Sequence, residues 1–462
     1  MEEKTTQIPE ISILLQEKNY AQLRALLAGE QAADIAELFL TLPGEYVPVL
    51  FRLLPKGLAA DVFVEMDTAA QKILITAFSD YELKQVLDEL YLDDTVDLIE
   101  ELPANVVNRI LRNSSPTDRR AINELLQYAN DSAGSIMTTE YVNLKASMTV
   151  EDAFKMIREV AIDKETIYTC YVTDFNRKLI GVISAKTLML SSPLSKIGDI
   201  MEQNVIFVST HMDKEEVAIL FGKYDFLSLP VVDTENRMVG IITVDDAIDV
   251  IHEAVEEDFA VMAAITPPES DTTYLRTSAF ATFKSRIPWL LLLMISATFT
   301  GLIISSFEAS LSACVALTAF IPMLMDTGGN CGSQASVTVI RGLSLGEIRF
   351  SDILRVIWKE LRVSAMCAIC LAVIAYIKIF LVDYLLMGTI APAEVWTVPL
   401  TVCLTLIFTV ICAKLIGCTL PILAKKIGFD PAVMASPFIT TIVDAVSLAV
   451  YFAIAVWLIP GI

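Results

Sequence analysis

Hydrophobic residues follow three different rhythms along this chain. Over residues 8–130 they recur at intervals of three and four, as in "IAELFLTLP" and "VLDELYLDDTVDLIEELP", and Pro43, Pro55, Pro103 and Pro116 punctuate the runs. That period predicts short amphipathic helices in series, an all-α superhelical domain. From 135 to 253 the rhythm shifts to short apolar runs separated by turns, and two weakly similar units follow one another. "SIMTTEYVNLKASMTVEDAFKMI" matches "DIMEQNVIFVSTHMDKEEVAIL", and "TCYVTDFNRKLIGVISAKTLM" matches "SLPVVDTENRMVGIITVDDAID". Each unit reads as strand, helix, strand, turn, strand, helix. Residues 246–282 are expected to form a linking helix, with Pro267 and Pro268 as points where it can break.

Beyond 283 the apolar stretches become long. A spanning helix needs about 20 mostly apolar residues, and five spans are predicted, near 287–307, 311–340, 363–383, 397–423 and 433–458. The second contains "DTGGNCGSQ" at 326–334, read here as broken backbone at membrane depth. Gly328, Gly329 and Gly332 would permit the unusual dihedrals, and Asn330 and Gln334 would face water or an ion. Lys and Arg cluster before span one, between spans two and three, and after span four, and are missing from the other loops. This alternation predicts an N-terminus inside and a C-terminus outside. Residues 346–362 are expected to form an amphipathic helix on the cytoplasmic surface. Lys378 is expected to snorkel outward and Lys414 toward the cytosol.

Composition divides the chain. Hydrophobic residues make up 54% of it, yet the formal net charge is −22. Residues 271–462 hold 12 Lys/Arg and 10 Asp/Glu, net +2; residues 1–270 hold 22 and 46, net −24. Seven of the eight cysteines lie in the apolar half, with no spacing that suggests disulfides or a zinc site. The N-terminus lacks the basic start and apolar core of a signal peptide, so the acidic half is expected in the cytosol.

Two sets of residues carry candidate chemistry. Asp444 is the single charge in "SPFITTIVDAVSLAVYFAIAVWLI", and an intramembrane carboxylate is a functional candidate by default. Ser436, Thr440 and Asp444 share one helix face. A carboxylate with hydroxyls and carbonyls suits Mg²⁺ or Ca²⁺, and one carboxylate per chain suits a hydrated ion held between two copies. The structural alternative is a pair between Asp444 and Lys414. In the acidic half, Asp93 and Asp97 share a face, as do Asp246, Asp249 and Glu253, with Glu257 and Asp258 following. Like charges at these spacings repel. Facing acidic surfaces should spread apart without a divalent ion and close when one bridges them. Competing readings are a secondary-active divalent cation carrier coupled to another ion, an intramembrane aspartyl protease with Asp326 as its second acid, and a membrane-anchored nucleotide sensor.

The two repeated units resemble a tandem pair of CBS domains, modules that often bind adenine nucleotides. Both carry a "G-[VI]-I-[ST]" strand followed by a helix. Asp245 and Asp246 stand where such modules often place a ribose-holding acid; Ala185 and Lys186 stand there in the first unit. Along nearly its full length the chain resembles the MgtE family of magnesium channels. The order of parts carries this likeness, as do "TGGNCGSQ", "GFDPAVMASPFITTIVD" and "DDTVDL".

The resemblance implies a multidomain membrane protein: an acidic all-α superhelical domain at 1–130, an α/β tandem CBS pair at 131–253 (units about 135–197 and 198–253), a connecting plug helix at 254–282, and a five-helix α transmembrane pore domain at 283–462. It implies a homodimer in the lipid bilayer of the bacterial plasma (inner) membrane, not an enzyme, with neither nucleic acid nor a protein substrate as partner. Mg²⁺ would be both substrate and regulator: a Mg²⁺-selective uptake channel closed by Mg²⁺ bound between its cytosolic acidic domains. The CBS pair leaves room for ATP, with no residues assigned. In the pore, Asp444 would hold the hydrated ion with the Thr440 backbone carbonyl, Ser436 and Asn330; the family commonly has Asn where Ser436 stands. The family's sensing acids fall on Asp61 and Asp93, with Asp97 beside them, and on Asp213, Glu215, Asp225 and Asp246, with Asp249 nearby. They also fall on Glu257, Asp258 and Asp430. One further family acid falls on Ala254, which leaves Glu253 or Glu256 for its ion.

Overall fold

The computed structural model describes residues 11–459 other than 12, 162, 163, 268–273, 275 and 276. The chain folds as two compact units, residues 1–254 with 269–276 and residues 255–268 with 277–462.

Beyond a helical stretch that includes residues 13–16, the first unit carries, among the described residues, the short helices α1 (Tyr20–Leu27), α2 (Ala32–Thr41), α3 (Val47–Phe51), α4 (Lys56–Val64), α5 (Thr68–Ala77), α6 (Asp80–Leu87), α7 (Leu92–Glu101), α8 (Ala104–Asn113) and α9 (Pro116–Leu125). Local chemistry sets these short lengths. Pro55 and Pro103 are the N-caps of α4 and α8, and Pro116 opens α9, where a missing N–H costs nothing. Ser79 and Glu82 form a reciprocal capping box on α6. Each helix then buries one stripe, with Leu23, Phe39, Leu50, Phe63, Leu74 and Ile110 among the fully covered side chains.

The two repeats follow. In the first, β1 (Tyr141–Leu144), α10 (Val150–Val160), β2 (Thr166–Thr173) and β3 (Leu179–Ser184) make a three-stranded sheet in the order β1-β2-β3, followed by α11 (Ala185–Leu190) and a single turn, α12 (Ile197–Ile200). In the second, β4 (Val208–Ser209), α13 (Lys214–Tyr224), β5 (Ser228–Val232) and β6 (Met238–Thr243) repeat the order, followed by α14 (Val244–Met262). In both, the first strand pairs parallel and the last antiparallel with the middle one. The hairpin turns also match: Asp174 accepts from the N–H groups of Asn176 and Lys178, and Asp233 from those of Glu235 and Arg237.

The second unit holds α15 (Ala279–Ser306), α16 (Glu308–Ala313), α17 (Ile321–Ser344), α18 (Ile353–Lys378), α19 (Thr397–Lys426) and α20 (Ser436–Leu458). The helical segments Ala279–Ser306, Phe350–Leu386, Thr397–Lys426 and Pro431–Leu458 are long and apolar enough to cross a membrane. No residue of α15 is buried, and Leu290, Met294 and Phe299 point outward from it.

The stretch 326–334 is not broken backbone: α17 runs through it without interruption. Gly328, Gly329 and Gly332 serve packing instead. A Cβ on Gly328 would lie 2.7 Å from Thr409 Cγ2, and one on Gly332 would lie 2.8 Å from Ile439 Cγ2. A Cβ on Gly417 of α19 would overlap the Gly332 carbonyl oxygen. The glycines therefore let α17, α19 and α20 approach backbone to side chain, as small residues do between membrane helices. The helix expected at 346–362 is not separate from the span that follows: after a 3₁₀ turn, Phe350–Asp352, α18 starts at Ile353 and runs unbroken to Lys378. The linking helix ends at Met262, before Pro267, and a separate helix starts at Ala279; Pro268 lies outside the described residues.

Lys414 does not snorkel, whereas Lys378 stays exposed. Lys378 folds back onto Asp383, 2.9 Å away, and lies over the Phe320 ring. Lys414 of α19 is 5% exposed and faces Glu360 of α18 at 3.7 Å.

Candidate functional site

The second unit places Asp444 half-buried on α20, one turn beyond Thr440. Among the described residues no hydrogen-bond donor or cation engages its carboxylate. Lys414, the alternative partner, is committed to Glu360. The charged group that acts on Asp444 is another carboxylate, Asp326 of α17. The Thr440 hydroxyl donates to the Pro437 carbonyl, and Thr440 packs against Gly329, whose added Cβ would stand 3.0 Å from Thr440 Cγ2. Asn330, next along α17, is exposed. Asp444, Thr440 and Asn330 thus fall where two tightly packed helices meet. The side chain of Ser436 lies outside the described residues.

Near the start of this unit, Asp258 stands near Asp430 and Ser344. Its carboxylate accepts from Ser344 Oγ at 3.4 Å. Burial raises its pKa, and the Asp430 and Glu257 charges add to the shift. Asp430 itself caps the following turn, accepting from the Ala432 N–H at 2.8 Å.

The first unit builds an acidic cluster at the start of α7. Asp93 is 7% exposed, and its Oδ1 has no hydrogen-bond partner among the described residues. Its carboxylate, with those of Glu140 and Glu165, offers three oxygens within 4.8 Å of one another. The parallel register of β1 and β2 brings the two glutamates together. Tyr141 pairs with Thr166, so the residue before each lies alongside, and the Glu165 N–H donates to the Glu140 carbonyl. Glu140 also accepts from the Leu92 N–H, at the N-terminus of α7.

Asp94, Asp97, Asp245 and Asp246 crowd the same region, their charges acting on one another. Burial, then like charge, lifts Asp94 to about 7 and Glu165 to about 8. The same causes push Asp93 and Asp246 upward together. A set of crowded carboxylates with an unpaired buried oxygen fits a hard divalent cation, which supplies the missing positive charge.

The other expected sensing acids are placed differently. Asp61 is exposed near Tyr91. Asp213 is the N-cap of α13, accepting from the Glu215 and Glu216 N–H groups. Asp225 ends α13 in a left-handed conformation, φ 55°. Glu253 is paired with Lys214 at 3.1 Å. Glu215, Asp249, Glu256 and Glu257 are exposed on their helices. Residue spacing alone had missed Asp94, Asp245, Glu140 and Glu165. The available signal was that Glu140 and Glu165 immediately precede two matching strands.

A cavity of about 440 Å³ opens between the two repeats, lined by Thr169, Tyr171 and Thr187 on one side and Asp225, Phe226 and Ser228 on the other. Asp245 and Asp246, the acids expected to hold a ribose, are not among its walls; they belong to the acidic cluster.

Comparison with known proteins follows the same division. A family described as divalent cation transporters matches residues 321–454, the MgtE intracellular N domain matches 30–131, and the CBS domain matches 133–192 and 197–253. The magnesium transporter MgtE of Thermus thermophilus is 34% identical over 452 residues, 97% of each chain. That of Bacillus subtilis is 33% identical over 446 residues, 96% of each. A solved structure, the cytosolic domain of the Mg²⁺ channel MgtE in complex with ATP, is 38% identical with a TM-score of 0.50. It covers 53% of this chain and 99% of its own. With such a match running from the helical domain to the last span, the chain belongs to the MgtE family of magnesium transporters.

Proposed function

We propose that this protein is a Mg²⁺ channel for uptake, closed by Mg²⁺ on its cytosolic side. One observation carries the reading. Asp444 is a half-buried carboxylate in an apolar helix with no cationic partner among the described residues, beside a second carboxylate. Such a group is stable only against water or an ion. A hydrated Mg²⁺ suits it, because Mg²⁺ dehydrates reluctantly and waters bridge well to a carboxylate. Thr440 and Asn330 add polar groups along the same path, and Ser436 is assigned to it by helix position. We read the domain as five spans, with α17 the fifth beside the four long apolar helices. The N-terminus lies inside and the C-terminus outside, in the inner membrane, and a second copy completes the path as a homodimer.

Regulation would rest on the two acidic groups. The Asp93 cluster, with Asp246, Asp97 and Asp61, and the Asp258–Asp430 pair with Glu257 each gather charge that repels without a cation. Mg²⁺ would favour the compact arrangement, a two-state element biased by its ligand. Asp213, Glu215, Asp225, Asp249 and Glu253 would be outer contributors, with Glu253 exchanging Lys214 for the ion. ATP would bind the cavity between the repeats, with Phe226 and Tyr224 offering aromatic faces to the base.

The test is Mg²⁺ flux into proteoliposomes, comparing the intact chain, Asp444→Ala, and a chain with Asp93, Asp97, Asp246 and Asp249 neutralised. Flux should vanish in the first variant and should resist shut-off by cytosolic-side Mg²⁺ in the second. Wild-type flux in Asp444→Ala would overturn the ion path. Flux without single-channel currents would overturn the channel in favour of a coupled carrier.

A further inference from the structure

Asp326 has no role in the reading above, and the packing of α17 on α20 gives it one. Added Cβ atoms on three glycines fix the register of these helices. Gly332 meets Ile439 and Val443, Gly329 meets Thr440, and Gly328 meets Val443 and Ser447. Moving toward the N-terminus of α17 therefore moves toward the C-terminus of α20, so the helices are antiparallel. One turn before Asn330 on α17 stands Asp326; one turn beyond Thr440 on α20 stands Asp444. The register sets the two carboxylates at one level, and the Asp326 charge is the one that acts on Asp444.

The exposed face of α17 continues this arrangement. Asp326, Asn330, Gln334 and Thr338 recur every fourth residue and are all exposed, whereas the opposite face, with Leu324, Cys331, Ala335 and Val339, is buried. A polar stripe with a carboxylate cannot face lipid tails without cost. It must line water.

We propose that Asp326 is a second ion-facing carboxylate of the permeation path and, with Asp444, a determinant of selection for divalent over monovalent cations. This rests on the reading of Asp444 as the path's ion-binding residue. The physical reason is charge density. Two carboxylates at one level repel each other, and a divalent ion between them offsets that repulsion more fully than a monovalent ion. Their waters-through contact also leaves the hydration shell of Mg²⁺ in place. Asn330 and Thr440 then form the next tier, one turn away on each helix, polar but uncharged.

The experiment measures Mg²⁺ and K⁺ flux through the full chain in proteoliposomes for wild type, Asp326→Asn, Asp326→Glu and Asp444→Asn. Asp326→Asn keeps the shape and removes one charge. It should raise the half-saturating Mg²⁺ concentration about fivefold or more, the effect of one charge on a divalent ion across a helix-to-helix distance in a hydrated site, and should lower the Mg²⁺-to-K⁺ flux ratio. Asp326→Glu should restore both. Wild-type half-saturation and ratio in Asp326→Asn, while Asp444→Asn loses flux, would overturn the role of Asp326 alone. Wild-type behaviour in Asp444→Asn would instead sink the underlying ion path. Loss of flux in both Asp326 variants, with wild-type elution on size exclusion, would mark a structural residue and also overturn the proposal.

Discussion

Two carboxylates in this molecule are equally hidden and oppositely furnished. Asp93 in the first unit and Glu360 in the second are each 7% exposed. Glu360 faces the ammonium of Lys414, itself 5% exposed. Asp93 faces Glu140 and Glu165. The first is a closed account of charge: anion and cation are both supplied by the chain, and the pair ties α18 to α19. The second is left open: no cation of the chain stands against it among the described residues, so a proton or, on the reading proposed above, a cation from solution would complete it. Burial alone therefore does not mark a binding site. What marks it is burial without an opposite charge, and Asp444 shares that property with Asp93 while Glu360 does not.

This contrast can be broken most severely at Glu360. Glu360→Gln leaves Lys414 as an uncompensated buried charge and should destabilise the second unit by about 3–5 kcal/mol. Replacing both residues, as Glu360→Leu with Lys414→Met, should recover most of that loss, because a buried pair contributes little beyond an apolar substitute. Thermal unfolding in detergent reads both. No recovery in the double variant would mean that the pair does more than cancel its own charge.

The open cluster should respond to its missing cation. Mg²⁺ at about a hundred times its dissociation constant should stabilise the first unit by about 2.7 kcal/mol, and Asp93→Asn should remove most of that gain. The sign with pH follows from the raised carboxylates. Asp94 at about 7 and Glu165 at about 8 lie above their unfolded values near 4. The folded unit then binds more protons than the unfolded chain between pH 4 and 8. Without a divalent ion, its stability should be greatest below pH 4 on this account and should fall as pH rises to 8. Added Mg²⁺ should flatten the fall. Denaturation midpoints at pH 5 and 8, with EDTA or with Mg²⁺, decide it; a metal-free midpoint that rises with pH would remove the cluster's claim to be an unpaired socket.

The smallest effect sharpens the contrast at the glycine seam. Gly332→Ala would press a methyl against Ile439 and the Ala413 carbonyl, costing about 1–3 kcal/mol. The same change at Gly301, with nothing within 4 Å of an added Cβ, should stabilise α15 slightly through helix propensity. Equal outcomes at the two positions would argue against close packing as the reason for "GGNCG".

Much of this was legible in the chain itself. The period of three and four located the helical series, because side-chain direction repeats with the backbone, and the repeat of short apolar runs between turns located the two matching sheets. The charge of Asp444 in an apolar run was legible for the same reason: a local cost needs no partner to be seen. Proline and glycine were read through their local meaning, and there the reading failed. "DTGGNCGSQ" looked like a break because glycine permits one, but only the facing residues Thr409, Ile439 and Thr440 show that it permits contact instead.

Only the tertiary structure could decide partners. Lys414 and Glu360 are far apart in sequence, as are Asp93, Glu140 and Glu165, and nothing in their spacing distinguishes a charge that will be neutralised from one that will not. The sequence by itself determined where charges would be costly. The packing of helix on helix and the parallel register of β1 on β2 decided which of those costs the chain meets internally and which it leaves unmet, because Coulomb energy depends on distances through space that the order of residues does not contain.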